Sequence, residues 1–196
     1  MRNVTTVLIA PSPGGEDTLR AASLRDVRQA ASAAGTSLLW LLDSSAVASE
    51  GTLPALLDHA PGPAASLPVD RQGRPIEALM GRTTEADVPG ILEAVARRRL
   101  PLRHTHVISL LVERDLVLEL APPDPGRFGR YAGPEWSGRL FARRRGVLVP
   151  GSRIVVDDHS AASPLHAIRA ARSGKWGKRE TLRELQRSVT DRLART

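Results

Sequence analysis

The chain has no cysteine, so a disulfide framework and a thiolate metal site are both excluded. Aromatic residues make up only 3% of it. The core must therefore be built from Leu, Val, Ile and Ala, and a stacking platform for single-stranded nucleic acid has little to draw on. No apolar run approaches the roughly 18 residues a membrane-spanning helix needs. The first residues lack the charged start, long apolar centre and small-residue cleavage site of a secretory leader, and a cytoplasmic location is expected. Lysine stands only at positions 175 and 178, so the net charge of +7 is carried almost wholly by arginine. A basic balance suggests an anionic partner, but it also fits a plain bias toward Ala, Arg, Gly, Leu and Pro. At 196 residues with 41% hydrophobic content, the chain suffices for one domain with its own core, with or without a tail.

The most telling segment is Leu-Leu-Trp-Leu-Leu-Asp at residues 38–43. A continuous apolar run ending on a carboxylate reads as a buried parallel strand. Ligands of open α/β sheets collect at that carboxyl edge. Asp43 is placed there to hold a metal or a sugar hydroxyl, or simply to start a turn or cap the next helix. Residues 4–10 are β-rich and end in a Pro/Gly loop. Residues 18–34 are Ala-rich and predict a helix stopped by Gly35. A second helix is predicted over residues 53–59, with Pro54 near its first turn. The order strand–helix–strand–helix predicts a three-layer α/β domain with a mostly parallel sheet flanked by helices.

Further on, residues 67–69 and 76–80 are predicted as short strands around the Asp70-Arg71-Gln72-Gly73 turn. Residues 106–112 read as a strand, 114–120 as a helix, 122–130 as a loop and 135–145 as a helix. Residues 147–149 and 153–156 read as two short strands. Residues 87–99 are ambiguous. Helices are expected at 163–172 and 178–195, the last with a Leu182, Leu185, Val189, Leu193 stripe against an Arg-rich face. That division gives a domain over residues 1–160 and a basic amphipathic helical tail over residues 161–196. The tail either packs on the domain by its stripe or lies on an anionic membrane surface.

In order, these segments resemble a family-two glycosyltransferase of the GT-A fold, in the rhamnosyl- and galactofuranosyl-transferase-like group. The family's strand ending Leu-Asp-Asp-Asp is matched by residues 38–45, Leu-Leu-Trp-Leu-Leu-Asp-Ser-Ser. Its D-x-x-G-x-P turn is matched by Asp70-Arg71-Gln72-Gly73-Arg74-Pro75. Its V-S-x-L-V-x-R strand resembles residues 107–114. Its E-[FYW]-S-x-R helix is matched by Glu135-Trp136-Ser137-Gly138-Arg139, and its closing G-x-L-V-P-x-S by residues 146–152. The resemblance implies transfer of a sugar from a nucleotide-sugar donor to a glycan or lipid-linked acceptor in cell-envelope polysaccharide synthesis. It also implies a divalent metal, Mg or Mn, and a peripheral position at the inner face of the membrane.

Three departures from the family pattern stand out. The metal-binding acids reduce to Asp43, with Ser44 and Ser45 where the others would be. The acid pair that usually supplies the base would fall on Ala132 and Gly133. The opening strand–helix–strand is expected to be missing, or collapsed into residues 2–15. By resemblance, Asp43, Ser44, Ser45 and Arg139 are the donor contacts, Glu135 is the base and His159 joins Asp43 at the metal. Each has a plainer alternative: Glu135 favours the helix dipole, and Asp157-Asp158-His159 is a polar turn. The triplets at residues 97–99 and 143–145 suit either a phosphate or a solvated helix end. The reduced acids keep a second function open, that of a non-catalytic relative serving as partner or scaffold for another protein. A nucleic-acid-binding module has charge in its favour but no motif.

Overall fold

The computed structural model describes residues 3–9, 19–21, 23–76, 79, 82–83 and 100–156. The helices predicted at 163–172 and 178–195, the ambiguous residues 87–99 and the tail as a whole lie outside the described residues.

One sheet organises everything. Its strands are β1 (Val4–Ile9), β2 (Leu19–Ala21), β3 (Leu38–Asp43), β4 (Ala46–Ala48), β5 (Ala64–Val69), β6 (Arg82–Thr83), β7 (Leu100–His104), β8 (Ser109–Glu113) and β9 (Gly146–Val156). They lie side by side as β2-β1-β3-β8-β5-β9-β7-β6, with β4 paired to β9. The expected α/β class holds, and the sheet is mixed. β2, β1 and β3 run parallel, as do β5 and β9, whereas β8 is antiparallel to both β3 and β5. Because β8 reverses once on each side, β5 runs in the direction of β3.

The alternation of a strand sends successive side chains to opposite faces. In β3, Leu39 and Leu41 enter one apolar cluster while Leu38 and Trp40 enter another. The first cluster is covered by α1 (Val27–Ala33), α3 (Arg114–Glu119) and α5 (Ala132–Arg143), through Ala31, Val117, Trp136 and Leu140. The second is covered by α2 (Thr52–Leu57), through Leu56. Helices on both faces of one sheet make the three layers. They also explain how β3 can be apolar at every position up to its end. A short helix, α4 (Pro125–Phe128), precedes α5 and is capped by Asp124, whose side chain accepts from the Gly126 N–H.

Several sequence expectations change. The helix expected over 18–34 is shorter: Leu19–Ala21 pairs with Val7–Ile9 as β2, and α1 begins only at Val27. Edge pairing outweighs Ala-rich helix propensity there, and the Ser23 hydroxyl bonded to Asp26 Oδ2 (2.9 Å) starts the turn into α1. The described residues before β3 thus carry β1, β2 and α1 in that order. The two strands expected at 147–149 and 153–156 are one eleven-residue strand, β9. Its register against β5 jumps from Ser66↔Val149 to Leu67↔Arg153, so Pro150, Gly151 and Ser152 form a bulge inside the strand. Strand β7 went unread, because Pro101, Arg103 and His104 mask its apolar content.

Candidate functional site at the carboxyl edge of strand β3

Asp43 is the last residue of β3, beside the end of parallel β1 at Ile9. Its backbone is fixed on both sides: its N–H donates to Ile108 O (2.8 Å), and the Ser44 N–H donates to Ile9 O (3.1 Å). Its side chain closes a tight turn, with Oδ1 accepting from the Ser45 N–H (2.9 Å) and the Ser45 hydroxyl (2.6 Å). Oδ2 has no hydrogen-bond partner among the described residues. Asp43 and Ser45 are half-buried and Ser44 is exposed, so the three predicted donor contacts share one accessible turn.

Glu135 and Arg139 are brought together elsewhere. Glu135 is 2% exposed in the first turn of α5. Arg139 Nη2 donates to Glu135 Oε2 (3.1 Å), and Arg139 Nε lies 3.0 Å from Oε1. The same Nη2 donates to Ala121 O (3.0 Å). Trp136 Nε1 donates to Leu120 O, and Ser137 Oγ donates to Thr105 O (2.7 Å) while accepting the Thr105 N–H (2.8 Å). The E-W-S-x-R segment thus ties α5 to two loops.

The two groups flank residues 105–108. Ile108 holds Asp43, and a Cβ built on Gly133 would lie 3.0 Å from the Val107 backbone nitrogen. Gly133, one of the two positions where an acid pair would fall, is therefore packed against the segment that bonds Asp43, and Ala132, the other, is buried as well.

The turn after β5 reaches the same edge of the sheet. Asp70 Oδ1 accepts from the Gln72 and Arg74 N–H groups (2.9 Å each), and Oδ2 accepts from Arg74 Nε (2.7 Å). The Arg74 backbone N–H first, and then its guanidinium, hold the Asp70 carboxyl below the usual carboxylate range. A cleft of about 590 Å³, lined among others by Asn3, Ser37, Pro61 and Glu113, opens at the start of β3, the edge opposite Asp43.

A divalent ion at this edge needs several oxygen ligands. No group of three or more His, Asp or Glu gathers among the described residues. Asp43 supplies one carboxylate and the serines are neutral, so the described residues alone do not make an ion site. His159, the second expected ligand, lies outside them. Sequence reasoning missed the backbone partner Ile108 and a chain of buried serines behind Asp43. The one signal for the latter was Ser66 and Ser109 interrupting apolar strands.

No protein-family model and no curated protein matches the sequence. The fold does have counterparts among solved structures. It is GT-A-like: GalNAc-T7, a glycosyltransferase whose crystal structure holds UDP, GalNAc and Mn²⁺, superposes with a TM-score of 0.51 at 16% identity, over 79% of this chain. This chain spans 36% of the length of that protein. A197 from STIV aligns over 83% of this chain and 97% of its own, with a TM-score of 0.40 and 10% identity. Among the described residues, no helix is long and apolar enough to cross a membrane.

Proposed function

We propose that this GT-A-like chain takes a nucleotide sugar at the carboxyl edge of β3 and serves sugar transfer to a glycan or lipid-linked acceptor, in cell-envelope polysaccharide synthesis. The observation that supports this reading is the position of Asp43. It ends a central strand of a glycosyltransferase-like sheet, half-exposed, with Oδ2 unengaged among the described residues and free to accept from a ribose or sugar hydroxyl. In such a transfer the acceptor oxygen attacks the anomeric carbon, the bond to the diphosphate oxygen breaks, and a carboxylate takes the acceptor's proton. Glu135 is the proposed base, and it would take that proton only by leaving the Arg139 guanidinium.

Asp43 and His159 are the proposed contacts for a Mg or Mn ion, which would stabilise the leaving diphosphate. The pairing Ala46↔Val156 supports this. It brings the end of β9 beside the residue after Ser45, and three residues of chain span at most about 10 Å. The basic tail over residues 161–196 is proposed as the contact to a membrane face or to the domain itself.

A second reading rests on the Glu135–Arg139 pair. A carboxylate so engaged suits a non-catalytic relative that binds nucleotide, or a protein partner, without turning over.

Calorimetric titration of UDP and dTDP, with and without Mn²⁺ or Mg²⁺, tests both readings. Asp43→Asn keeps the Oδ1 acceptor of the turn and removes only the charge. Binding in the wild type that weakens in Asp43→Asn supports the donor site. Donor-sugar hydrolysis that Glu135→Gln abolishes supports transfer, and binding without hydrolysis favours the second reading. No binding at millimolar nucleotide sinks the donor site.

A further inference from the structure

Behind the Asp43 turn runs a buried chain of hydroxyls. Trp40 Nε1 donates to Ser109 Oγ (3.0 Å). Ser109 Oγ and Ser66 Oγ are 2.6 Å apart, and Ser66 Oγ and Ser152 Oγ 2.8 Å. Ser152 Oγ donates to Thr52 O (2.7 Å). Ser66, Ser109, Ser152 and Thr52 are each at most 4% exposed. The chain crosses β3, β8, β5 and the bulge of β9, and ends on α2.

Its direction is fixed by chemistry. The indole N–H can only donate, a carbonyl can only accept, and each hydroxyl has one proton. Ser152 spends its proton on Thr52 O, so it must accept from Ser66. Ser66 must then accept from Ser109, which accepts from Trp40. Thr52 carries the connection further: its Oγ1 donates to Arg153 O (2.8 Å), accepts the Ser49 N–H (2.9 Å) and lies 3.0 Å from Ser49 Oγ.

The two ends matter because of where they fall in the sequence. Trp40 stands three residues before Asp43, and Ser49 three residues after Ala46, the first residue of β4. Between them lie Asp43, Ser44, Ser45 and β4, and β4 itself pairs with the half of β9 beyond the bulge. We propose that Ser66 and Ser152 are positioning residues, links in a one-way hydroxyl relay that holds the Asp43 turn from both sides. The sheet's own ladder secures the β3 side of the turn, at Asp43 and Ser44, and holds the β4 side less firmly. β4 is a three-residue strand off the main path, and the bulge interrupts the pairing of β5 with β9 where Ser152 sits. As a consequence for ligands, the relay keeps Asp43 and the end of β9 at one fixed spacing. That part rests on the nucleotide-site reading above.

The test is amide and indole hydrogen exchange by NMR on the full chain, for the wild type, Ser66→Ala, Ser152→Ala and the double variant. Ser32→Ala, which removes an exposed hydroxyl bonded to Arg28 O, is the control. A buried donor or acceptor left unmatched opens its surroundings locally, so the amides of Ala46, Val47 and Ala48 and the indole N–H of Trp40 should exchange about tenfold faster or more. The amides of Val7 and Leu39 should stay as in the wild type. The double variant should match the worse single one, since both cut the same chain.

Uniform acceleration across the sheet, no acceleration, or additive effects would overturn the relay. If Ser66→Ala does not fold, Ser66→Cys, of similar size with a weak S–H donor, gives the same comparison in milder form. UDP affinity is the second arm. It should fall about tenfold in Ser66→Ala with Asp43 intact, the low end of the loss expected when a group that orients a binding residue is removed. Unchanged affinity alongside local opening would overturn the positioning role. If the wild type does not bind UDP, the nucleotide reading fails and the exchange data alone decide the relay.

Discussion

Asp43 and Glu135 are two carboxylates that the sequence offers as equals and the structure treats as opposites. Asp43 sits half-exposed at a strand end, with one oxygen held by a neutral serine and the other unengaged among the described residues. Glu135 is buried, with both oxygens facing one guanidinium. A carboxylate already matched to a cation and removed from water has most of its electrostatic work committed to the fold. One matched only to hydroxyl and amide dipoles at an open edge still has charge to offer a ligand. Matching a transferase motif therefore does not by itself leave a carboxylate available to a ligand.

The comparison can be broken most sharply from the Arg side. Arg139→Ala takes the guanidinium away from the buried Glu135 carboxylate, and urea unfolding should show a loss of about 2–3 kcal/mol, since Glu135 is buried and Arg139 only partly so. A loss under about 0.5 kcal/mol, the level of an ordinary surface site, would mean Glu135 is less committed than its geometry indicates. Glu135→Gln keeps the shape and a hydrogen-bond acceptor, and should cost about 1–2 kcal/mol. Asp43→Asn, the same chemical change at the other carboxylate, should cost less than about 0.5 kcal/mol and act on nucleotide binding instead. Equal losses in the two amide variants would erase the distinction.

The smallest effect concerns Asp70. Its carboxyl is depressed in the folded state, so its contribution is present above the ordinary carboxylate range and is lost as pH falls through the lowered value. The stability difference between wild type and Asp70→Asn should be constant near neutral pH and vanish in acid. A difference that grows on acidification would reverse the sign of that linkage.

Much of the frame was legible because its signals are local. The unbroken apolar run of β3 announced a strand covered on both faces, and Leu116, Val117 and Leu120 announced α3. What stayed hidden is non-local. Leu19–Ala21 has the composition of a helix and becomes a strand only because β1 lies beside it. Pro150-Gly151 looks like a turn between two strands and is a bulge within one, since both halves of β9 find partners on β5. At the site, Asp43 could be read from its place at a strand end. The serine chain could not, for its partners stand 43, 69 and 86 residues apart in sequence. Nor could the closure around Gly133, which depends on where residues 105–108 pass.

Strand β9 also sets the order of events in synthesis. It comes last among the described elements, yet β4, β5 and β7 all pair with it, and its Ser152 meets the Thr52 carbonyl across 100 residues. Contacts of such separation slow folding. A nascent chain released before residue 146 holds β5 and β7 with open edges and no strand to join them. The domain therefore commits late: until β9 clears the ribosome, the described strands before it are a half-built sheet, recognisable to a chaperone by those same unpaired edges.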